Sequence, residues 1–275
     1  MKQIHLGDMT IGGEMPFVLI AGPCVIEDEG VTKEIALFLK DLTRSLDIPF
    51  IFKASYDKAN RTSLTSFRGP GLEKGLAILA KIKEELAVPI LSDVHRFEEI
   101  AMASRVLDVV QVPAFLCRQT DFVVEIARKA KVINIKKGQF LSPWEAAHLL
   151  KKAEAAGNDN ILLTERGTSF GYNNLVVDFR ALPVMRAMGH PVVFDGTHSV
   201  QLPGGAGAAS GGERGMAAYL CRAAVAAGVD GIFLEVHPDP EAALCDGPNS
   251  LYLSSLADLL CTLKEIDRLV KQPCP

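Results

Sequence analysis

The sequence predicts a closed barrel of eight parallel strands and eight helices, a (β/α)8 fold, and three observations predict it. Short apolar runs rich in Val, Ile, Leu and Phe recur eight times. Segments of helical periodicity separate them, with no linker between. The length of 275 residues is also that of one such barrel, which typically needs about 250 residues as a single unit. The chain therefore reads as one domain over residues 1–275.

Each element follows in order. Before the first run, Gln3–Ile11 reads as a small hairpin that closes the barrel bottom. The strand candidates are Phe17–Gly22, Ile48–Lys53, Val88–Asp93, Asp108–Val112, Val132–Lys136, Asn160–Thr164, Pro191–Asp195 and Gly231–Glu235. They are continuous apolar runs rather than alternating ones, as strands buried on both faces require. Between the first two, Val31, Ile35, Phe38, Leu42 and Leu46 step by three or four and predict one helix face. Leu253, Leu256, Leu260, Leu263 and Ile266 do the same near the C-terminus. Ser142-Pro143-Trp144-Glu145 reads as a capping box with proline at the first helical position. Eight alternations favour closure, because open sheets of eight parallel strands are less usual.

Composition bounds the function. The chain is 48% hydrophobic and 23% charged with a net charge of −4, which argues against a general nucleic-acid binder. A basic patch on such a protein is local, and local patches serve small anions. No run approaches the roughly 18 apolar residues of a membrane-spanning helix. Cys24, Cys117, Cys221, Cys245, Cys261 and Cys274 form no CxxC pair, and Lys2, His5 and Asp8 interrupt any secretory signal. Reduced thiols in a cytoplasmic protein are expected. The glycine-rich stretch Gly204–Gly212 lacks the dinucleotide-motif spacing, and no GxxxxGK[ST] occurs, so no nucleotide cofactor is expected. A glycine-hinged lid over Ser199–Gly212 fits that segment better.

In such barrels chemistry sits at the C-terminal ends of the strands. Those ends carry Cys24, Lys53, Asp93 and His95, Gln111, Lys136 and Lys137, Glu165 and Arg166, Asp195 and His198, and Glu235. Lys53, Lys58, Arg61, Arg118, Lys136, Lys137 and Arg166 thus converge on one face of an acidic protein, which reads as an anion site. The second loop, from Lys53 to Ser63, is dense in phosphate donors: forked Arg, mobile Lys, and directional Ser, Thr and Asn groups. A solvated polar rim is the plainer alternative. A second constellation lies at strands one, seven and eight, which adjoin once a barrel closes. Cys24, His198, Glu235 and Asp246 offer a thiol, an imidazole and two carboxylates, a set that suits Zn, Fe or Mn. Taken singly, a buried Cys usually packs a core, and an Asp before Gly247-Pro248 usually makes a turn.

Seven segments, in order, resemble one family. They are Ala21 to Glu27 (AGPCVIE), Phe52 to Ser63 (FKASYDKANRTS), Leu91 to His95 (LSDVH), Gln111 to Thr120 (QVPAFLCRQT), Thr164 to Tyr172 (TERGTSFGY), Phe194 to His198 (FDGTH) and Asp246 to Asn249 (DGPN). The chain resembles the 3-deoxy-D-manno-octulosonate 8-phosphate synthases, barrel enzymes of the TIM type, from about residue 4 to 270. That resemblance implies condensation of phosphoenolpyruvate with D-arabinose 5-phosphate, releasing inorganic phosphate and forming the eight-carbon sugar acid of lipopolysaccharide. It implies Lys53, Gln111, Lys136 and Arg166 at phosphoenolpyruvate, and Asn60, Arg61, Ser63 and Arg118 at arabinose 5-phosphate, with Arg118 reaching toward a neighbouring subunit of a homotetramer. Lys53, Lys136, His198 and Asp246 are the residues expected to serve catalysis. Cys24 after Gly22-Pro23, where the metal-independent branch has Asn, implies the metal-dependent branch, with Cys24, His198, Glu235 and Asp246 holding a divalent Zn, Fe, Mn or Co ion. The rival within the same chemistry is a 3-deoxy-D-arabino-heptulosonate 7-phosphate synthase using erythrose 4-phosphate. That family's second loop is of Lys-Pro-Arg-Thr type, where this chain has Lys58-Ala59-Asn60-Arg61-Thr62-Ser63. A non-catalytic sugar-phosphate sensor and a pyruvate aldolase with Lys136 as Schiff base are the rivals from other classes.

Overall fold

The computed structural model describes residues 1–204 and 211–271. Eight parallel strands form: β1 (Val18–Gly22), β2 (Phe50–Lys53), β3 (Ile90–Asp93), β4 (Val109–Val112), β5 (Val132–Lys136), β6 (Ile161–Glu165), β7 (Val192–Asp195) and β8 (Gly231–His237). Each pairs with the next, and β8 pairs with both β7 and β1, so the sheet closes on itself. Six strands begin one or two residues later than their apolar runs, and three of these, β2, β3 and β7, start directly after Pro49, Pro89 and Pro191. The reason is that proline has no N–H for the ladder. Its carbonyl still takes part, accepting from Leu19, Phe52 and Leu163 respectively.

Among the described residues eight α-helices lie between and after the strands: α1 (Glu29–Ser45), α2 (Leu72–Leu86), α3 (Phe97–Val106), α4 (Thr120–Lys129), α5 (Ala146–Ala155), α6 (Ala181–Arg186), α7 (Arg214–Ala226) and α8 (Leu256–Lys271). The buried face of α1 is Thr32, Ile35, Ala36, Leu39 and Thr43. Of the expected stripe, Ile35 is in the core and Val31, Leu42 and Leu46 pack against it, while Phe38 is exposed; Thr32 and Thr43 join the buried face because their hydroxyls bond back to the turn before. In α8 the expected Leu256, Leu260 and Leu263 are buried. The Ser142 to Glu145 segment forms the glutamate half of the expected capping box. Glu145 accepts from both the Ser142 N–H (2.9 Å) and its hydroxyl (3.0 Å), and regular helix starts only at Ala146.

Strand side chains alternate between the two faces of the barrel wall. Val18, Ile20, Ile51, Leu91, Val109, Val132, Leu162, Val193 and Phe233 fill the interior. Their neighbours, such as Leu19, Phe52, Val110, Ile133 and Phe194, face the helices. The hairpin of Ile4–Leu6 with Met9–Ile11 adds Ile4, Leu6 and Ile11 to the interior cluster and plugs its bottom. Among the described residues no helix is long and apolar enough to cross a membrane. The described ends of the expected lid pair Gln201–Leu202 with Gly211–Gly212, and residues 205–210 of it lie outside the described residues.

Candidate active site

Above the apolar interior, the inward positions turn polar at the C-terminal strand ends. There a cavity of about 590 Å³ opens, of the size that takes small ligands. Lys53, Asn60, Arg61, Gln111, Lys136, Arg166, His198, Glu235 and Asp246 all line it. Phe233 lies beneath the cations, with Lys136 Nζ 3.8 Å and Lys53 Nζ 5.6 Å from its ring centroid. The negative ring face offsets part of the cost of burying those charges.

The first strand end reaches this mouth only because residue 22 is glycine. A Cβ there would lie 1.9 Å from the carbonyl oxygen of Lys53. The close approach sets Lys53 beside the first loop, where its Nζ donates to Cys24 O (2.8 Å) and to Glu235 Oε1 (2.7 Å). Burial opposes charge on Glu235, but Lys53, Lys58 and His198 outweigh it and hold the carboxyl well below its usual range. Lys58 Nζ lies 3.6 Å from the same oxygen. Burial alone would lower Lys58, yet the surrounding anionic groups, including Glu235 and Asp93, raise it well above the ordinary lysine value.

Across the cavity Asp195, fully buried, organises the other half. Its Oδ2 accepts from Lys136 Nζ (2.5 Å) and faces His198 Nδ1 (2.8 Å), while Oδ1 accepts from the His198 backbone N–H (2.8 Å). Burial outweighs Asp195 at Lys136 and lowers its pKa below that of a free lysine. Burial likewise lowers Arg166, whose guanidinium donates to Gln201 Oε1 (3.1 Å). One layer down, Asn134 links Gln111 (2.9 Å) and Thr164 (2.6 Å), so three strands share one hydrogen-bonded tier.

The four expected metal-ligating residues do come together. The donor atoms of His198, Glu235 and Asp246 lie within 4.8 Å of one another, as do those of Cys24, Cys245 and Asp246, and Asp246 joins the two groups. With Asp195 at Nδ1, the His198 Nε2 faces Glu235 Oε2 at 3.7 Å. That oxygen is buried and has no hydrogen-bond partner among the described residues, as a waiting ligand would be. Asp246 adopts the left-handed conformation (φ 47°), which turns its carboxylate inward. Burial, followed by the neighbouring Cys245 and Glu235, pushes the Cys24 thiol well up, so binding a cation there displaces a proton. Soft sulfur, imidazole and carboxylate donors about one point fit a divalent transition-metal ion.

Other expected residues lie elsewhere. Lys137 belongs to the outer side of the wall and is fully buried there, so it is no part of the cationic ring. Ser63 does not line the cavity and bonds Thr65 instead (2.9 Å). Arg118 is exposed and lines a neighbouring hollow with His95, Leu116 and Phe122. Cys24 sits just behind the cavity wall, its sulfur 3.0 Å from Cys245. Arg61 turns toward that pair, donating to Cys245 Sγ at 2.8 Å. Sequence reasoning gave no role to Asp195, Asp93, His95 or Gln139. Asp195 had a signal, three residues before His198 at a strand end, but its double contact depends on the turn that follows.

The matching family model is that of the DAHP synthetase I family, over residues 1–272. The 2-dehydro-3-deoxyphosphooctonate aldolase of Geotalea uraniireducens (strain Rf4) is 62% identical over 271 residues, 98% of this chain and 100% of that protein. Proteins of the same name from Geotalea daltonii (60% over 271 residues; 98% and 100% covered) and Geobacter metallireducens (60% over 270; 98% and 99%) are similarly close.

Proposed function

The chain belongs to the DAHP synthetase I family, and we propose that within it the chain is a 3-deoxy-D-manno-octulosonate 8-phosphate synthase. It condenses phosphoenolpyruvate with D-arabinose 5-phosphate and water, giving the eight-carbon sugar acid phosphate and inorganic phosphate. The observation that carries the reading is one cavity with Lys53, Lys136 and Arg166 on its inner wall and the Asn60-Arg61 loop at its rim. Such a division suits two anionic substrates held face to face. The heptulosonate alternative gains no support from the names of the full-length relatives.

The chemistry follows from the substrates. Bringing two phosphorylated anions together costs about 1 kcal/mol per charge pair at 4 Å in water, and more in a drier site. Lys53, Lys136 and Arg166 hold the phosphoenolpyruvate phosphate and carboxylate and offset that repulsion, with Gln111 beside them. Asn60 and Arg61 at the rim hold the aldose phosphate, so the enol C3 meets the aldehyde carbon. A C–C bond forms and the aldehyde oxygen takes up a proton. Positive charge developing at C2 is quenched by water, and loss of phosphate from the resulting tetrahedral centre completes the reaction. Asp195 keeps Lys136 paired and His198 oriented throughout.

Cys24, His198, Glu235 and Asp246 would hold a divalent Zn, Fe, Mn or Co ion, which when bound supplies Lewis acidity and orientation at this end of the cavity. The five described cysteines are all free thiols, in keeping with a cytoplasmic enzyme. A homotetramer fits the exposed Arg118 and Phe115, with Arg118 directed to a neighbour's site rather than its own.

The test is phosphate release from phosphoenolpyruvate with each aldose side by side. Turnover with arabinose 5-phosphate and little with erythrose 4-phosphate is expected. The reverse preference would make it a heptulosonate synthase, and silence with both would revive the sensor reading. Borohydride trapping of a Lys136 adduct with pyruvate would instead reveal an aldolase.

A further inference from the structure

A buried ion pair on the far side of the barrel wall has no part in the chemistry above. Lys137 follows β5 and Glu165 ends β6, and both are essentially without solvent exposure. The β5–β6 register pairs Lys136 with Thr164, so the next residues, Lys137 and Glu165, stand side by side on the outer face. Their charged groups are 3.5 Å apart. Lys137 Nζ also donates to Leu141 O (3.0 Å), Gly138 O (3.3 Å) and Thr168 Oγ1 (3.3 Å), while Glu165 Oε1 accepts from the Gly167 N–H (2.6 Å). One ammonium thus ties the loop after β5 to the loop after β6, and the backbone bond from Ser169 N to Gln139 O (3.0 Å) runs parallel to it.

Folding alone does not account for this pair. The surrounding layer between wall and helices is apolar. A buried ion pair there contributes little more stability than apolar groups of the same size. What it does impose is geometry. By the strand alternation, the residues that flank the pair, Lys136 before Lys137 and Arg166 after Glu165, point the opposite way, into the cavity. Fixing the outer pair fixes the spacing of the inner two.

We propose that Lys137, through Glu165 and Thr168, is a positioning residue that sets the separation of Lys136 and Arg166 to the span of phosphoenolpyruvate. The proposal rests on the synthase reading for the identity of the anion. The second substrate is held by the loop after β2, which the pair does not touch, so its binding should be spared.

The test is Lys137→Met in the full chain, with KM for each substrate and direct calorimetric titration of phosphoenolpyruvate without aldose. Expected is a tenfold or greater rise in the phosphoenolpyruvate KM and Kd with the arabinose 5-phosphate KM within twofold. Adding Glu165→Gln to the first substitution removes the stranded charge but does not restore the tie between the loops, so most of that loss should remain, and recovery to within twofold of wild type overturns the proposal. A phosphoenolpyruvate KM within twofold of wild type overturns the proposal, as does an equal rise for both substrates, which marks general loosening. If Lys137→Met fails to fold, Thr168→Val removes one acceptor of the same ammonium. A selective two- to fivefold weakening of phosphoenolpyruvate supports the proposal in that variant, and none overturns it. Calorimetry needs no turnover, so an unmodified protein that binds phosphoenolpyruvate but converts neither aldose sinks the synthase reading while the comparison of Kd values still decides this one.

Discussion

Replacing Asp195 by asparagine keeps the size of the side chain and removes its charge at the most connected point of the site. Lys136 loses its counter-ion at 2.5 Å, and His198 loses a carboxylate at Nδ1, 2.8 Å away. Breaking one partner of a buried pair costs roughly 3–5 kcal/mol, shared between stability and function. If about 3 kcal/mol falls on the transition state, at about 1.4 kcal/mol per decade, kcat/KM for phosphoenolpyruvate falls roughly 10²-fold. The imidazole also loses the group that holds its tautomer, a change that typically costs about 10–100-fold in metal affinity. The assays are continuous phosphate release under varied phosphoenolpyruvate, and metal retention against a chromophoric chelator, which needs no activity. A variant with kcat/KM within threefold of wild type and unchanged retention would show that Asp195 neither sustains Lys136 nor orients His198.

Further outcomes are expected elsewhere. Exhaustive chelation should abolish turnover and added Zn, Mn, Fe or Co should restore it, whereas full activity of a verified metal-free enzyme would remove the metal from the mechanism. Cys24→Asn should lose metal content measured by elemental analysis, and unchanged content would remove Cys24 as a ligand. The Asp93–His95 pair (2.9 Å) predicts a pH-dependent stability. Burial opposes charge on both, but each partner's charge prevails, raising His95 above 6.5 and holding Asp93 below 3.8. The Asp93 share is present above 3.8 and lost as acid reaches its depressed folded value; the His95 share is full below 6.5 and lost as pH rises through its raised one. Asp93→Asn should therefore lower the urea midpoint most between pH 3.8 and 6.5 and progressively less as pH rises through the raised folded value of His95, and a difference that grows with alkali would contradict the pairing. Gly22→Ala forces its Cβ against the Lys53 carbonyl and should cost about 1–3 kcal/mol, read as a melting temperature lower by roughly 2–12 °C. An unchanged melting temperature would mean that β1 and β2 yield freely.

Much of the fold was legible because barrel strands are buried on both faces and announce themselves as unbroken apolar runs. Six strands start one or two residues after their apolar runs begin, and the two-residue differences fall at Pro49 and Pro89, since hydropathy does not count missing N–H donors. The α1 stripe held except at Phe38, and it missed two buried residues for a related reason. Apolar periodicity ignores Thr32 and Thr43, which are buried because their hydroxyls bond within the helix. In the site, Lys53, Lys136 and Arg166 were legible as cations at strand ends and Arg61 as one in the loop after β2. That Lys137 is not one of them was not, because adjacent residues at a strand end differ only in which face they take.

By itself, then, the sequence determined an eight-fold strand–helix alternation, its catalytic face, and the residue types gathered there, since these follow from local hydrophobic period and strand polarity. Only the tertiary structure decided which of those residues meet. The register of β5 on β6 sends Lys136 inward and Lys137 outward. Closure of β8 onto β1 brings Cys24 to within 3.0 Å of Cys245, a separation of 221 positions along the chain. The turn after β7 lets one carboxylate serve both Lys136 and His198. Such meetings depend on ring closure and pleat phase, which belong to the whole barrel and are written in no single segment.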